Sequence, residues 1–391
     1  MKKENRLILL IVLSQFAGTS LWFAGNAVIS DIQNAFGLGE GILGYMTSSV
    51  QLGFILGTLV FAILTISDRY SPSKVFFTCA ILGALFNLGI YALATGLNSI
   101  LFFRVMTGFF LAGIYPVGMK IASDHFEKGL GKALGYLVGA LVFGTALPHL
   151  LKDITAALPW ESVIILTSIC ATLGGLLILV FVPDGPYRKK SLGFDFKAFF
   201  QVFQNKRFRA AAFGYFGHMW ELYTFWAFVP SFLWYYNSIA ETSLNIPLWS
   251  FIIIAAGGLG CILGGYLSAL KGNAYVAFAA LMGSGICCLL SPFIYNFPAI
   301  ILLSFLLFWG FMVVADSPQF STLVAQTASK ELIGTALTIV NCIGFSITIF
   351  SIQFLNYLSQ VASFEFIFLA LLPGPIFGLW NIRKELAFFR D

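Results

Sequence analysis

The chain has 391 residues, 59% of them hydrophobic and only 10% charged, with a formal net charge of +5. A soluble domain carries about 25% charged residues, and a mean hydropathy of +0.90 lies far outside that class. The composition therefore excludes a water-soluble enzyme and a nucleic-acid-binding protein, and points to an all-α polytopic membrane protein with the lipid bilayer as its solvent.

In chain order, Met1 to Arg6 is a short basic flank, and the apolar run behind it continues to about Ile29. That run is too long for the core of a cleavable signal and lacks a small-residue cleavage site, so the first span is expected to stay in the membrane. Hydropathy marks twelve candidate spans, at 7–30, 42–66, 74–96, 98–123, 131–152, 161–183, 209–236, 248–270, 274–294, 298–326, 333–357 and 364–386. Each reaches the roughly 20 residues that a bilayer crossing needs. With both termini cytoplasmic, the inner side holds 20 of the 22 Lys and Arg residues, leaving Lys152 outside and Arg104 within the membrane. That bias sets the orientation, predicts a bacterial inner (plasma) membrane location, and accounts for the net charge without nucleic acid.

The long polar segment, Asp184 to Arg209, is expected to be a cytoplasmic linker (184–208) between two six-helix bundles, 1–183 and 209–391. Its amphipathic stretch, Phe194 to Phe200, suits the headgroup layer. The six cysteines all lie in apolar runs without metal-ligand or disulfide spacing, and read as small core residues. The halves repeat: Arg104-x-x-x-Gly108, Pro116 and Gly131-Lys-Ala-Leu align with Gly310, Pro318 and Gly334-Thr-Ala-Leu at an offset of 202–203 residues, and Gly18 aligns with Gly217. Ser49, Gly53 and Gly57, and the cluster Gly257, Gly258, Gly260, Gly264 and Gly265, fit seams of close helix packing.

Asp68-Arg69 resembles the Asp-Arg core of the major facilitator loop motif, and Arg104-Val-Met-Thr-Gly108 resembles its fourth-helix Arg-x-x-x-Gly motif. The loop motif is degenerate: Leu64 and Ser71 replace its glycines, and Pro72-Ser73 its basic pair. The resemblance implies a major facilitator fold of twelve helices in two pseudo-symmetric bundles, with Asp68 and Arg69 as gating residues in a cytoplasmic latch between the halves. Helix five, with Gly135, Gly144 and Pro148-His149, only partly resembles the antiporter motif, so the direction of transport stays open. Within the superfamily the chain is similar to bacterial members often labelled nitrate/nitrite or cyanate porters. Those porters carry an anion-binding arginine in helices two and eight, whereas 42–66 and 248–270 contain no basic residue, so an inorganic anion is only an outside alternative.

An ionisable group at bilayer depth is costly and normally faces a bundle interior or a wet cavity. Of the 17 acids, Glu221 and Asp316 fall inside spans away from their ends, and His218 stands one turn from Glu221, close enough in sequence to share a proton with it. Glu221, Asp316 and His218 are therefore the candidate proton-coupling residues, with Glu221 leading. Pro318 removes a backbone donor two residues after Asp316 and is expected to kink helix ten as part of a cytoplasmic gate. At 100° per residue, Gln15, Thr19, Trp22 and Asn26 share a face of span one, and Gly44, Ser48, Gln51 and Ile55 share one of span two. Arg104, Gly108 and Tyr115 are expected on one face of span four, and Thr338, Asn341 and Thr348 on one of span eleven. Arg104, Gln15, Trp22, Asn26, Gln51, Tyr115, Trp220, Tyr223, Gln319 and Asn341 are the candidate substrate contacts; Tyr223 lies about 160° from Glu221 and joins it only on an irregular helix. Together these features predict a monomeric secondary transporter, without metal or cofactor, that moves a small organic ion or zwitterion by alternating access coupled to protons. Drug or metabolite efflux, and a receptor or scaffold that transports nothing, are the alternatives. A membrane enzyme would need a metal or nucleophile cluster, which His125, His149 and His218 do not supply.

Overall fold

The computed structural model describes residues 3–39, 41–126, 130–188, 198–329, 332–383 and 386. The middle of the linker, and with it most of the amphipathic stretch from Phe194, lies outside them. The chain divides into two compact units, Met1–Phe194 and Asp195–Asp391.

Unit one contains α1 (Lys3–Thr19), α2 (Ala24–Ala27), α3 (Ile29–Phe36), α4 (Ile42–Ile63), α5 (Ile66–Arg69), α6 (Pro72–Ala92), α7 (Leu97–Leu111), α8 (Tyr115–His125), α9 (Leu130–Ile154) and α10 (Glu161–Phe181). Unit two contains α11 (Ala198–Val202), α12 (Lys206–Ile239), α13 (Ile246–Lys271), α14 (Asn273–Leu290), α15 (Ala299–Ala315), α16 (Ser317–Thr327), α17 (Ile333–Val361), a 3-10 segment (Phe364–Leu371) and α18 (Pro373–Ile382). Helix is what a bilayer demands, because each backbone group must find its partner within the segment. Among the described residues, ten helices are long and apolar enough to cross a membrane. Two further crossings fall outside that count for local reasons: the first is interrupted after Thr19, and α12 carries His218 and Glu221 in its middle.

Capping and proline set the helix boundaries. Asn205 accepts from the Arg207 and Phe208 amides to start α12, and Asn245 accepts from the Leu248 amide to start α13. Pro116 and Pro318 each sit in the first turn of a second half-helix, so crossing four breaks between α7 and α8 and crossing ten between α15 and α16. The kink expected at Pro318 is thus a one-residue interruption at Asp316, whose backbone stays in the right-handed helical region, within a single crossing Ala299–Thr327.

Glycine fixes the tightest helix contacts, and it does so twice. A Cβ on Gly53 would lie 1.9 Å from the Val105 carbonyl oxygen, and one on Gly108 2.0 Å from that of Val50, so α4 and α7 meet backbone to backbone. In unit two a Cβ on Gly310 would lie 2.2 Å from the Ile253 carbonyl oxygen and one on Gly260 2.4 Å from that of Phe311, which makes the same contact between α13 and α15. Backbone cannot yield as a side chain does, so Gly108→Ala and Gly310→Ala should each cost about 1–3 kcal/mol or more. Gly334, with nothing near its missing Cβ, should accept alanine without loss. Thermal unfolding of the three purified variants checks this; a Gly108→Ala protein as stable as wild type would overturn the packing argument.

Candidate functional site

In unit one the polar residues gather around the interruption of helix one. The chain leaves α1 at Thr19 and passes through turns to Phe23 before α2 begins, which strips the carbonyls of this stretch of helical partners. Arg104, on α7 and fully buried, supplies the missing donors: its Nη1 donates to the Leu21 carbonyl at 3.2 Å and its Nη2 to the Trp22 carbonyl. Among the described residues it has no acidic partner within ion-pairing distance, and its Nε is unpaired. Complete burial excludes a side chain that merely reaches for the headgroups.

Trp22, fixed from behind by Arg104, donates its indole N–H to Gln51 Oε1 at 3.3 Å and packs on Phe54. Asn26 donates to Thr47 Oγ1 at 2.7 Å. The stripes on spans one and two therefore meet each other. They also leave capacity unused: both amide atoms of Gln15, Asn26 Oδ1 and Gln51 Nε2 are buried without a hydrogen-bond partner among the described residues. Buried polar atoms in this condition are rare, and each calls for a partner. Tyr115 opens α8, beyond the interruption after Leu111.

In unit two the two acids are separated by their partners. Glu221 accepts from Trp309 Nε1 at 2.7 Å, from Ser284 Oγ at 2.9 Å and from Cys288 Sγ at 3.3 Å, so α12 is bound to α14 and α15 through one carboxylate. His218 turns instead to Asp316, with Nδ1 2.9 Å from Oδ1 and both side chains about 1% exposed. The shared proton expected between His218 and Glu221 is corrected accordingly: the two side chains leave α12 in different directions, one toward the α15/α16 break and the other toward α14 and α15. His218 Nε2 and Asp316 Oδ2 remain without a hydrogen-bond partner among the described residues. The carbonyl of Val314, which Pro318 cannot serve, accepts from Cys261 Sγ at 3.3 Å. Two cysteines assigned only to packing thus also donate, Cys261 to this carbonyl and Cys288 to Glu221.

Other candidates scatter. Gln319 is buried and donates to the Ala315 carbonyl at 2.9 Å, and Asn341 accepts from Tyr215 at 3.0 Å. Tyr223 packs against Trp226 and Phe345, away from Glu221, as a regular α12 requires. Trp220 does not join the acids either: its indole N–H is fixed on the Ala370 carbonyl at 2.9 Å. Ser284, Cys288 and Trp309 were missed by sequence reasoning, although Ser284 and Cys288 stand one turn apart and so share a face of span nine.

Asp68 lies 2.8 Å from Lys120 of its own unit, which is also 3.6 Å from Asp124. Arg188 adds donors to the Asp68 and Tyr70 carbonyls, while Arg69 donates to Thr65. The degenerate loop motif therefore still holds a charge network, built within unit one.

Two all-helical units, each with a broken fourth or tenth crossing and ionisable groups buried in its core, define a polytopic membrane transporter class. The family model of the Major Facilitator Superfamily matches residues 8–352, and the chain belongs to that superfamily. The fold agrees with the proton:xylose symporter XylE (TM-score 0.74, 15% identity, 98% of this chain and 96% of that one) and with the human organic anion transporter MFSD10 (0.72, 15%, 98% and 100%). Relatives in sequence include a probable galactarate/D-glucarate transporter of Pseudomonas putida, 29% identical over 34% of this chain and 31% of that one. A galacturonate transporter of Dickeya chrysanthemi is 26% identical over 48% and 59%. The chain thus spans 31% to 59% of these relatives' lengths. They are sugar-acid transporters, which corrects the expected likeness to nitrate or cyanate porters and agrees with the missing arginines of spans two and eight.

Proposed function

We propose that this protein is a proton-coupled secondary transporter of a sugar acid, in the hexuronate and aldarate class. The observation that carries the reading is the composition of the unit one site: one buried arginine without an acidic partner, beside neutral amides with unused donors and acceptors. A carboxylate supplies the countercharge that Arg104 lacks, and hydroxyls satisfy Gln15, Gln51 and Asn26. The sugar-acid relatives support the same class. Protons are assigned to the His218–Asp316 pair, where an ionisable couple is fully buried with one unused polar atom on each side. Pro318, at the break beside that pair, is the gating residue, and Asp68 with Arg69 belongs to a second gate.

Reconstitution tests this. In proteoliposomes with an acidic exterior, radiolabelled galacturonate or galactarate should accumulate, and a protonophore should abolish the accumulation. Galactose, which lacks the carboxylate, should accumulate far less. Accumulation of nitrate with none of either sugar acid would overturn the reading.

A further inference from the structure

Unit two also carries two open grooves, away from the buried polar groups. At the start of α12 an open groove of about 390 Å³ is walled by Phe200, Phe203, Phe213, Phe216 and Ile343, with Arg209 at its rim. A second groove of about 320 Å³ follows, lined by Trp220, Ile347, Phe350, Gly374 and Phe377, and it shares Phe216 with the first. Residues 209, 213, 216 and 220 step along one side of α12 while 343, 347 and 350 step along α17, so the two grooves form one trough. From Arg209 to Trp220 that trough runs about 16 Å at 1.5 Å per residue, close to half of a hydrocarbon core of about 30 Å.

One end of the trough holds Arg209 and Gln204, and the rest is apolar. Arg209 is held at the rim by donating Nη1 to the Phe203 carbonyl at 2.7 Å and the Gln204 carbonyl at 3.2 Å, with no carboxylate within ion-pairing distance among the described residues. Lys206, one turn before it, shares its side of α12, and no acidic residue occurs from Ala198 to Trp220. Phe200 at the mouth is 74% exposed and Phe350 farther along is 70% exposed, as expected of a wall that faces lipid. We propose that this trough is a binding site for an anionic phospholipid, with the phosphate on Arg209 and Lys206 and one acyl chain lying along the phenylalanines. The fixed guanidinium distinguishes it from general lipid contact, because it pins a headgroup at the end of a chain-length groove.

Native mass spectrometry of the full-length protein released from detergent, with added phosphatidylglycerol or phosphatidylcholine of matched chains, tests the site. Wild type should retain one phosphatidylglycerol in preference to phosphatidylcholine by about tenfold, and a sixteen-carbon form in preference to an eight-carbon one. Arg209→Glu should lose that adduct, whereas Lys271→Glu, the same charge change elsewhere on unit two, should keep it. Ile347→Trp, which fills the trough without touching the cations, should remove the chain-length preference. Equal loss in Arg209→Glu and Lys271→Glu, equal retention of both headgroups by wild type, or indifference to chain length would each overturn the proposal. The wild-type comparisons hold even where a variant fails to fold.

Discussion

Asp316→Asn is expected to abolish gradient-driven accumulation of substrate in proteoliposomes while leaving exchange between labelled and unlabelled substrate running. Asparagine keeps the shape of aspartate and an acceptor for His218, 2.9 Å away, but cannot release a proton. Substrate exchange needs the conformational change alone, whereas accumulation needs a charge that travels with it. The expected contrast is with Glu221→Gln. There the amide oxygen still accepts from Trp309, and Ser284 Oγ, already within 3.2 Å of the Leu281 carbonyl, can donate to that carbonyl and accept from the new amide. Glu221→Gln should therefore fold and still accumulate substrate at a reduced rate. Glu221→Ala leaves two buried donors, Trp309 Nε1 and Cys288 Sγ, unpaired at about 1–3 kcal/mol each, while Ser284 keeps the Leu281 carbonyl, and the variant should be recovered in far lower yield. If Glu221→Gln abolishes accumulation and Asp316→Asn does not, the proton belongs on Glu221 after all.

The architecture was legible because bilayer thickness and hydropathy leave few solutions, and the break in crossing ten was legible because proline cannot serve Val314. The interruption in helix one was not, since Ser20-Leu21-Trp22-Phe23 contains neither proline nor glycine. Its carbonyls are held by Arg104, more than eighty residues away, so tertiary contacts override local preference there. Glu221 and Asp316 were found from the cost of burying charge, but not which residues they face. Three residues on a helix separate His218 from Glu221 by only about 60°, and the partners on α14 to α16 decide between them. The repeat shows where the halves have diverged. At the crossing of helices one and four, a Cβ on Gly18 would lie 2.7 Å from Ile114, an apolar contact. In unit two the position aligned with Gly18, Gly217, precedes His218, and the position aligned with Ile114 at the 202-residue offset is Asp316 itself, so the second unit has an ionisable pair where the first has an apolar contact.

Arg104 should prove as sensitive as Asp316, for a different reason. Its guanidinium does two things in a fully buried place: it satisfies two carbonyls at the helix one interruption and it brings a positive charge that nothing in the described residues neutralises. Arg104→Ala removes both, leaving the Leu21 and Trp22 carbonyls unpaired at about 1–3 kcal/mol each, and the Trp22–Gln51 hydrogen bond loses its anchor. The protein should unfold at a lower temperature, and galacturonate binding should become undetectable. Arg104→Lys keeps the charge but presents one ammonium where a planar fork spanned two carbonyls. Calorimetric titration of Arg104→Lys and Arg104→Gln with galacturonate and with neutral galactose separates the two roles. Charge matching predicts that Arg104→Gln loses galacturonate affinity by about 1.5–3 kcal/mol, the worth of a hydrogen bond to a charged group, while its weak affinity for galactose changes little. An equal loss for both ligands would mean that Arg104 only holds the backbone, and the carboxylate contact would then have to be sought elsewhere in the core of unit one.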